Sequence, residues 1–168
     1  MMKRLILTRH AKSSWDDPTM ADKDRPLNAR GQAAAADLGQ WLASRGDIPD
    51  EVLCSDAART RETWEGIAAS LDSQPRLILK PALYHASADV MLAVLRHATG
   101  STVMMIGHNP GISEFAERIV ARAPANAEFH RYPTGATLVV SFETDDWKQV
   151  DWHQGSVRDF IVPRELTA

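Results

Sequence analysis

Cysteine is almost missing from this chain. Cys54 stands alone among 168 residues, so no internal disulfide can form. That composition fits a reducing compartment. Long apolar runs are missing too, and nothing approaches the ~20 residues that a membrane-spanning helix needs. The start, Met1-Met2-Lys3-Arg4, leads into only the short apolar run Leu5-Ile6-Leu7, too little for a secretory signal. A cytoplasmic protein with no membrane partner is expected. Excess positive charge is also lacking: 19 Lys and Arg face 22 Asp and Glu, a net charge of -3. Nothing global therefore attracts nucleic acid. The six histidines contain no H-x-x-x-H pair and no H-E-x-x-H stretch. No metal site is expected from them, and no cofactor. Repeats, low-complexity tracts and linkers are absent, so residues 1–168 are expected to form one domain.

What is present alternates between strand and helix. Leu5 to Leu7 has the character of a buried strand. Residues 14–27 are a polar loop with Pro18 and Pro26. Asn28 is placed to cap a helix from Ala29 to Arg45, which Gly46 closes. Glu51 to Ser55 is a second strand. Ser55 or Asp56 then caps a helix running to about Leu71. Arg76 to Leu79 is a short strand, and Ala88 to His97 a helix. Thr102 to Ile106 is the strongest buried-strand signal. A helix from about Gly111 to Ala123 follows. Gly135 to Phe142 is a strand, and Trp147 to Trp152 is expected to pair back on it as a hairpin. A last apolar run is Phe160-Ile161-Val162. This alternation predicts an α/β fold: a three-layer α/β/α sandwich, mainly parallel, with an antiparallel edge hairpin.

The chemistry collects at strand ends. The first strand ends in Arg9-His10, the second in Ser55 with Arg59 and Arg61 just beyond, and the Thr102–Ile106 strand in Gly107-His108. If these strands are parallel, their carboxyl ends share the rim where open α/β sheets bind ligands. Guanidinium groups suit a phosphate dianion, because each can engage two oxygens. A neutral imidazole beside them can attack phosphorus. Arg9 and Arg59 would hold two edges of a phosphoryl group. His10 would attack it, and His108 would donate a further hydrogen bond. Such transfer needs positioning and electrostatic stabilisation, and no metal is required.

These residues resemble a known family. Arg9-His10-Ala11-Lys12-Ser13, Ser55-x-x-x-Arg59-Thr60-x-x-Thr63 and Gly107-His108-Asn109-Pro110 are similar to the histidine phosphatase superfamily. Arg25-Pro26-Leu27 with Arg30-Gly31, Leu83-Tyr84 and Pro133-Thr134-Gly135-Ala136 resemble its small branch, the SixA-type phosphohistidine phosphatases. The resemblance implies a phosphoglycerate mutase-like fold. It implies His10 as the phosphorylated nucleophile, with Arg9, Arg59 and His108 as the phosphate pocket. Lys12, Ser13 and Asn109 would be rim contacts.

Mutase-like members of that family carry a glutamate acid after the third strand. Here the loop reads Ala82-Leu83-Tyr84-His85-Ala86-Ser87, without a carboxylate before Asp89. A phosphoramidate can leave as neutral imidazole once protonated, whereas an alkyl phosphate leaves as an alkoxide and needs a proton donor. The pattern therefore favours an N–P substrate or an activated ester over a sugar phosphate. The leading reading is phosphohistidine on a protein, such as a histidine-phosphotransfer domain. The alternatives are a small-molecule phosphomonoesterase of the same mechanism and a non-catalytic phosphoprotein-binding module. Asp16, Asp17 or Asp22 could supply an acid from the loop, or His85 could act as one. Whether loop 14–27 closes over the site stays open. The short chain leaves little room for a lid, so an open pocket is expected. A monomer is admissible, with the oligomeric state left open. Cys54 reads as a small buried side chain. Arg61 reads as a surface residue, and His97, His130 and His153 as surface or capping residues. Trp15 either lines the rim or packs the loop.

Overall fold

The computed structural model describes residues 2–166. Its centre is a six-stranded sheet: β1 (Met2–Arg9), β2 (Glu51–Cys54), β3 (Arg76–Leu79), β4 (Thr102–Gly107), β5 (Thr137–Glu143) and β6 (Ser156–Ile161). The strand order is β3-β2-β4-β1-β5-β6. β3, β2, β4 and β1 run parallel, while β5 is antiparallel to both β1 and β6.

Four helices cover the sheet: α1 (Ala29–Arg45), α2 (Ala58–Ala68), α3 (Ala88–Leu95) and α4 (Gly111–Ile119). Side chains alternate across a strand, so β1 feeds two cores. Leu5 and Leu7 join Val103, Met105, Leu138 and Val140 against Met91 and Leu95 of α3 and Phe115 and Ile119 of α4. Ile6 joins Val52, Met104, Ile106 and Val139 against Leu38 and Leu42 of α1 and Trp64 and Ile67 of α2. Each such side chain stabilises the fold by roughly 1.5–3 kcal/mol relative to exposure. This is the expected three-layer sandwich. Asn28 caps α1 through its side chain, which accepts from Gly31 N at 2.8 Å, and Gly46 ends it with φ 72°.

The hairpin partner differs from the expectation. Trp147–Gln149 is a 3-10 turn, and β6 takes the place beside β5. The alternation in Trp147 to Trp152 is overridden by two local contacts. The Asp146 carboxylate accepts from Lys148 N at 3.0 Å, which turns the chain. The Trp147 ring is buried, stands edge-on to Phe142, and donates from Nε1 to Gly100 O at 2.6 Å.

Helix boundaries also move: α2 ends at Ala68 rather than about Leu71, and α3 at Leu95 rather than His97. α4 stops at Ile119 because Val120 becomes extended and bridges to Gly155. α2 begins after Ala57, which provides no side-chain cap. Ser55 and Asp56 do not cap it: the Ser55 hydroxyl pairs with His108, and the Asp56 carboxylate pairs with Lys23 at 2.8 Å. No helix among the described residues is long and apolar enough to cross a membrane.

Candidate active site

The parallel strands bring their carboxyl ends to one rim. β1 delivers Arg9 opposite Gly107 of β4, and His10 N donates to Gly107 O at 3.1 Å. An open cleft here is lined by Arg9, His10, Lys12, Ser13, His85, His108, Asn109 and Arg59, all singled out from the sequence. Trp15, Asp22, Arg25, Pro133 and Thr134 complete its wall.

His10 is buried, and its Nδ1 lies 2.7 Å from Ala11 O. A carbonyl only accepts, so Nδ1 carries the proton and the Nε2 lone pair is free. The Ala11 amide is held in turn, donating to Thr63 Oγ1 at 2.9 Å. Thr63 donates to Arg59 O at 2.7 Å, which ties the His10 loop to the start of α2. The His108 ring centroid lies 5.4 Å from that of His10, and its Nε2 pairs with Ser55 Oγ at 2.8 Å.

Arg9 donates to Tyr132 O at 3.2 Å, and buried Tyr132 donates from its hydroxyl to Leu7 O at 2.5 Å. Asn109 braces the same turn, its amide donating to Arg131 O and Tyr132 O. Three buried side-chain nitrogens of the cleft have no partner in the described residues: Arg9 Nε, Arg59 Nε and His108 Nδ1. Unmet hydrogen-bonding groups of this kind are uncommon in native structures. Together with the cations they favour an anion. No group of three His, Cys, Asp or Glu among the described residues could hold a metal ion.

Loop 14–27 is docked on the site rather than free of it. Arg59 Nη1 donates to Asp22 O at 2.7 Å, and Nη2 to Asp22 Oδ2 at 3.0 Å. Tyr84 Oη donates to the same Oδ2 at 2.5 Å, and Arg25 Nε to Oδ1 at 3.1 Å. The Tyr84 hydroxyl, then Arg59 and Arg25, hold the Asp22 carboxyl well below the usual carboxylate range. Asp22 is thus an ionised acceptor at neutral pH and cannot serve as a proton donor. Asp17 turns instead to Thr19, and Asp16 lies exposed outside the cleft. Neither supplies an acid in this arrangement, because the short local turn points them to solvent.

Arg25 also donates to Ser13 Oγ at 2.7 Å, which engages the Ser13 hydroxyl. Its guanidinium lies 3.6 Å from the Trp15 ring centroid, and Trp15 is 75% exposed. Trp15 therefore both lines the rim and packs on the loop. Cys54 is buried and its thiol is pushed up to about 12 by desolvation, as suits an inert side chain. Arg61 lies on the surface, donating to Asp56 O. His97, His130 and His153 are exposed.

Burial, then the nearby Arg9, Arg59 and Arg25, lowers His10 from 6.5 to about 3. Burial, then His10 and Arg59, lowers His108 to about 2. Both rings are neutral at pH 7. Between their folded values and 6.5 the unfolded chain binds more protons, so stability falls with pH below about 6.5. The thermal midpoint is expected to drop as pH is lowered from 7 to 4. Ring signals in an NMR titration should show His10 and His108 still neutral near pH 5. Protonation of either near its ordinary value, ~6.5, would contradict this electrostatic picture.

Comparison with known proteins gives a consistent result. Residues 5–85 match the model of the histidine phosphatase superfamily, branch 1. An uncharacterised chloroplastic protein of Arabidopsis thaliana is 39% identical over 128 residues, 70% of this chain and 59% of that protein. The chain thus spans less than two thirds of that relative. An uncharacterised protein of Mycobacterium leprae is 30% identical over 167 residues, covering 93% of this chain and 99% of the relative. Among solved structures, a Nakamurella multipartitia protein provisionally assigned as the phosphohistidine phosphatase SixA superposes with a TM-score of 0.82. It is 28% identical, with 97% of each chain covered.

Proposed function

Because the chain belongs to the histidine phosphatase superfamily, in its small SixA-type branch, we propose that it removes the phosphoryl group from phosphohistidine on a protein. A histidine-phosphotransfer domain is the substrate that fits best. The observation that carries this is the His10 tautomer: Nδ1–H is fixed on Ala11 O, leaving Nε2 as a lone pair in a cationic cleft. Nε2 attacks phosphorus, and the bond to the leaving nitrogen breaks. Its electron pair returns to a substrate ring that solvent has protonated on its other nitrogen, so the ring departs as neutral imidazole. Arg9, Arg59 and His108 hold the equatorial oxygens as charge spreads over them. Water then attacks phosphorus, and the electron pair of the P–N bond returns to His10 Nε2. The cations of the chain supply the positive charge, so the cycle is metal-independent.

Lys12 serves as a rim contact, while Asn109 braces the turn that holds Arg9 and Ser13 accepts from Arg25, so these two support the rim. The open cleft and the exposed Trp15 leave room for a phosphorylated side chain on a folded partner. The test is phosphate release from a phosphohistidine-bearing phosphotransfer domain, alongside p-nitrophenyl phosphate, with EDTA present. The expected result is faster release from the phosphoprotein, with kcat/KM higher by about 10²-fold or more, as binding of the protein surface is used in the transition state. Binding of the phosphoprotein without release would replace the enzyme with a docking module. Release from small esters alone would replace the substrate class.

A further inference from the structure

An alkyl phosphate, unlike phosphohistidine, leaves as an alkoxide and needs a proton donor in the site. Asp22 is the only carboxylate that lines the described cleft, and its hydrogen bonds hold it ionised. His85 is the other candidate in the wall, and its setting is unusual. Its φ is 52°, a left-handed conformation rare for residues with a Cβ. Such strain persists only where the surroundings impose it. Here they do. A Cβ built on Gly111 would lie 1.8 Å from Ala86 O, so the start of α4 presses directly on the segment after His85. The His85 ring stacks on Tyr84, with centroids 4.1 Å apart, and stands edge-on to His108 at 5.3 Å.

Two groups of opposite character share the His85 Nε2 atom. Asp22 Oδ2 lies 3.5 Å away and Arg59 Nη2 lies 3.4 Å away. A protonated Nε2 faces an acceptor, the Asp22 carboxylate. An unprotonated Nε2 faces a donor, the Arg59 guanidinium. The site thus accommodates the ring in either state, as a group that gives up and regains a proton requires. A phosphoryl group held by Arg59 would lie near this nitrogen, since Arg59 Nη2 is 3.4 Å from it, while the ring, with 52% of its side chain exposed, also reaches solvent for reprotonation.

We propose that His85 is the proton donor to the leaving group, which extends the substrates of this site from phosphohistidine to alkyl phosphomonoesters. The inference rests on the His10 mechanism proposed above. As His10 Nε2 bonds to phosphorus, the P–O bond breaks and its electron pair goes to the ester oxygen. That oxygen takes the proton from His85 Nε2 and departs as a neutral alcohol. In the second half-reaction water attacks phosphorus and gives its proton to the now neutral His85. The P–N bond electrons return to His10, and both histidines regain their starting states. The charged and titratable groups facing His85 are Asp22, Arg59, Tyr84 and His108. Asp22 is a positioning residue in this scheme.

The test compares His85→Asn and His85→Glu with the parent chain on three substrates: an alkyl phosphate such as phosphoserine, p-nitrophenyl phosphate, and a phosphohistidine protein. Asparagine tolerates a positive φ, so the backbone is kept, and a thermal melt verifies folding. The nitrophenolate leaves readily and phosphohistidine can be protonated by solvent, so the alkyl ester should suffer most. The expected loss for His85→Asn is about 10²–10³-fold in kcat on the alkyl ester, and at least tenfold less on the other two. His85→Glu should recover part of the alkyl activity, with the basic limb of its pH profile moved to lower pH. Equal losses on all three substrates would overturn the inference. So would a parent enzyme that cleaves phosphohistidine but no alkyl ester, and this outcome would leave the proposed function standing. Failure of the His10 mechanism itself would show as full activity in His10→Ala, a separate result.

Discussion

Replacing His10 with alanine lowers turnover by about 10⁴-fold or more on every phosphorylated substrate, as loss of a covalent nucleophile does. The expectation follows from the geometry rather than from the residue type. Ala11 O fixes the ring proton on Nδ1, and burial among three arginines keeps the ring neutral down to about pH 3. Among the described residues that line the cleft, no second group duplicates this arrangement. His108 Nε2 is engaged with Ser55, and Asp22 is held by Arg59, Arg25 and Tyr84. His10→Ala keeps Arg9, Arg59 and His108, so phosphate and its analogues should still bind with an inhibition or dissociation constant within about tenfold of the parent. The variant should also lose less stability on acidification, since one ring that resists protonation has gone. Steady-state kinetics, phosphate binding by calorimetry and melts at two pH values check these outcomes. Turnover within about tenfold of the parent would contradict a nucleophilic role.

Arg59→Ala is the second large effect, about 10³-fold or more in kcat/KM, in line with arginines that stabilise phosphoryl transfer. Arg59 does two things at once. Its guanidinium faces the cleft, and it donates to both the backbone oxygen and the carboxylate of Asp22. Its side chain is only 3% exposed, so the loop and the phosphate pocket are linked through one buried cation. Removing it takes charge from the pocket and leaves Asp22 with Arg25 and Tyr84. KM should therefore rise as kcat falls. Arg59→Lys should recover little, because a single ammonium cannot span the phosphate and the Asp22 contacts together. Recovery by lysine to within about tenfold of the parent would show that charge alone is needed there.

The fold was largely legible because β1 and β4 are buried on both sides. Leu5-Ile6-Leu7 and Val103-Met104-Met105-Ile106 can be little else than central strands. The hairpin partner was not legible. Trp147 to Trp152 has the alternation of a strand, yet the Asp146 contact and the burial of Trp147 turn it aside, and β6 takes its place. That Arg9, His10, Arg59 and His108 converge in one cleft was legible because each stands at or shortly after the end of a parallel strand. Arg25 and Tyr84 were visible as motif residues but not as parts of the cleft or its supports, and Ser55 was visible at the rim but not as the partner of His108. Their roles come from contacts across long separations, such as Tyr84 to Asp22 and Ser55 to His108. Asp22 was legible as a loop carboxylate but not as an ion locked between arginines. Its state is set by where the loop docks, which no local pattern encodes. The Arg25-Pro26-Leu27 motif, following an acidic turn, was the one signal that could have pointed to the loop's docking.

The central claim is that a phosphoryl group passes through His10. The most direct measurement is a rapid quench of the enzyme mixed with a ³²P-labelled phosphohistidine protein, followed by digestion and mapping of the labelled peptide. The predicted result is transient label on the peptide containing His10, labile to acid and stable to alkali, and absent from His10→Ala. Turnover without any labelled enzyme, or label on another residue with His10→Ala still active, would contradict it.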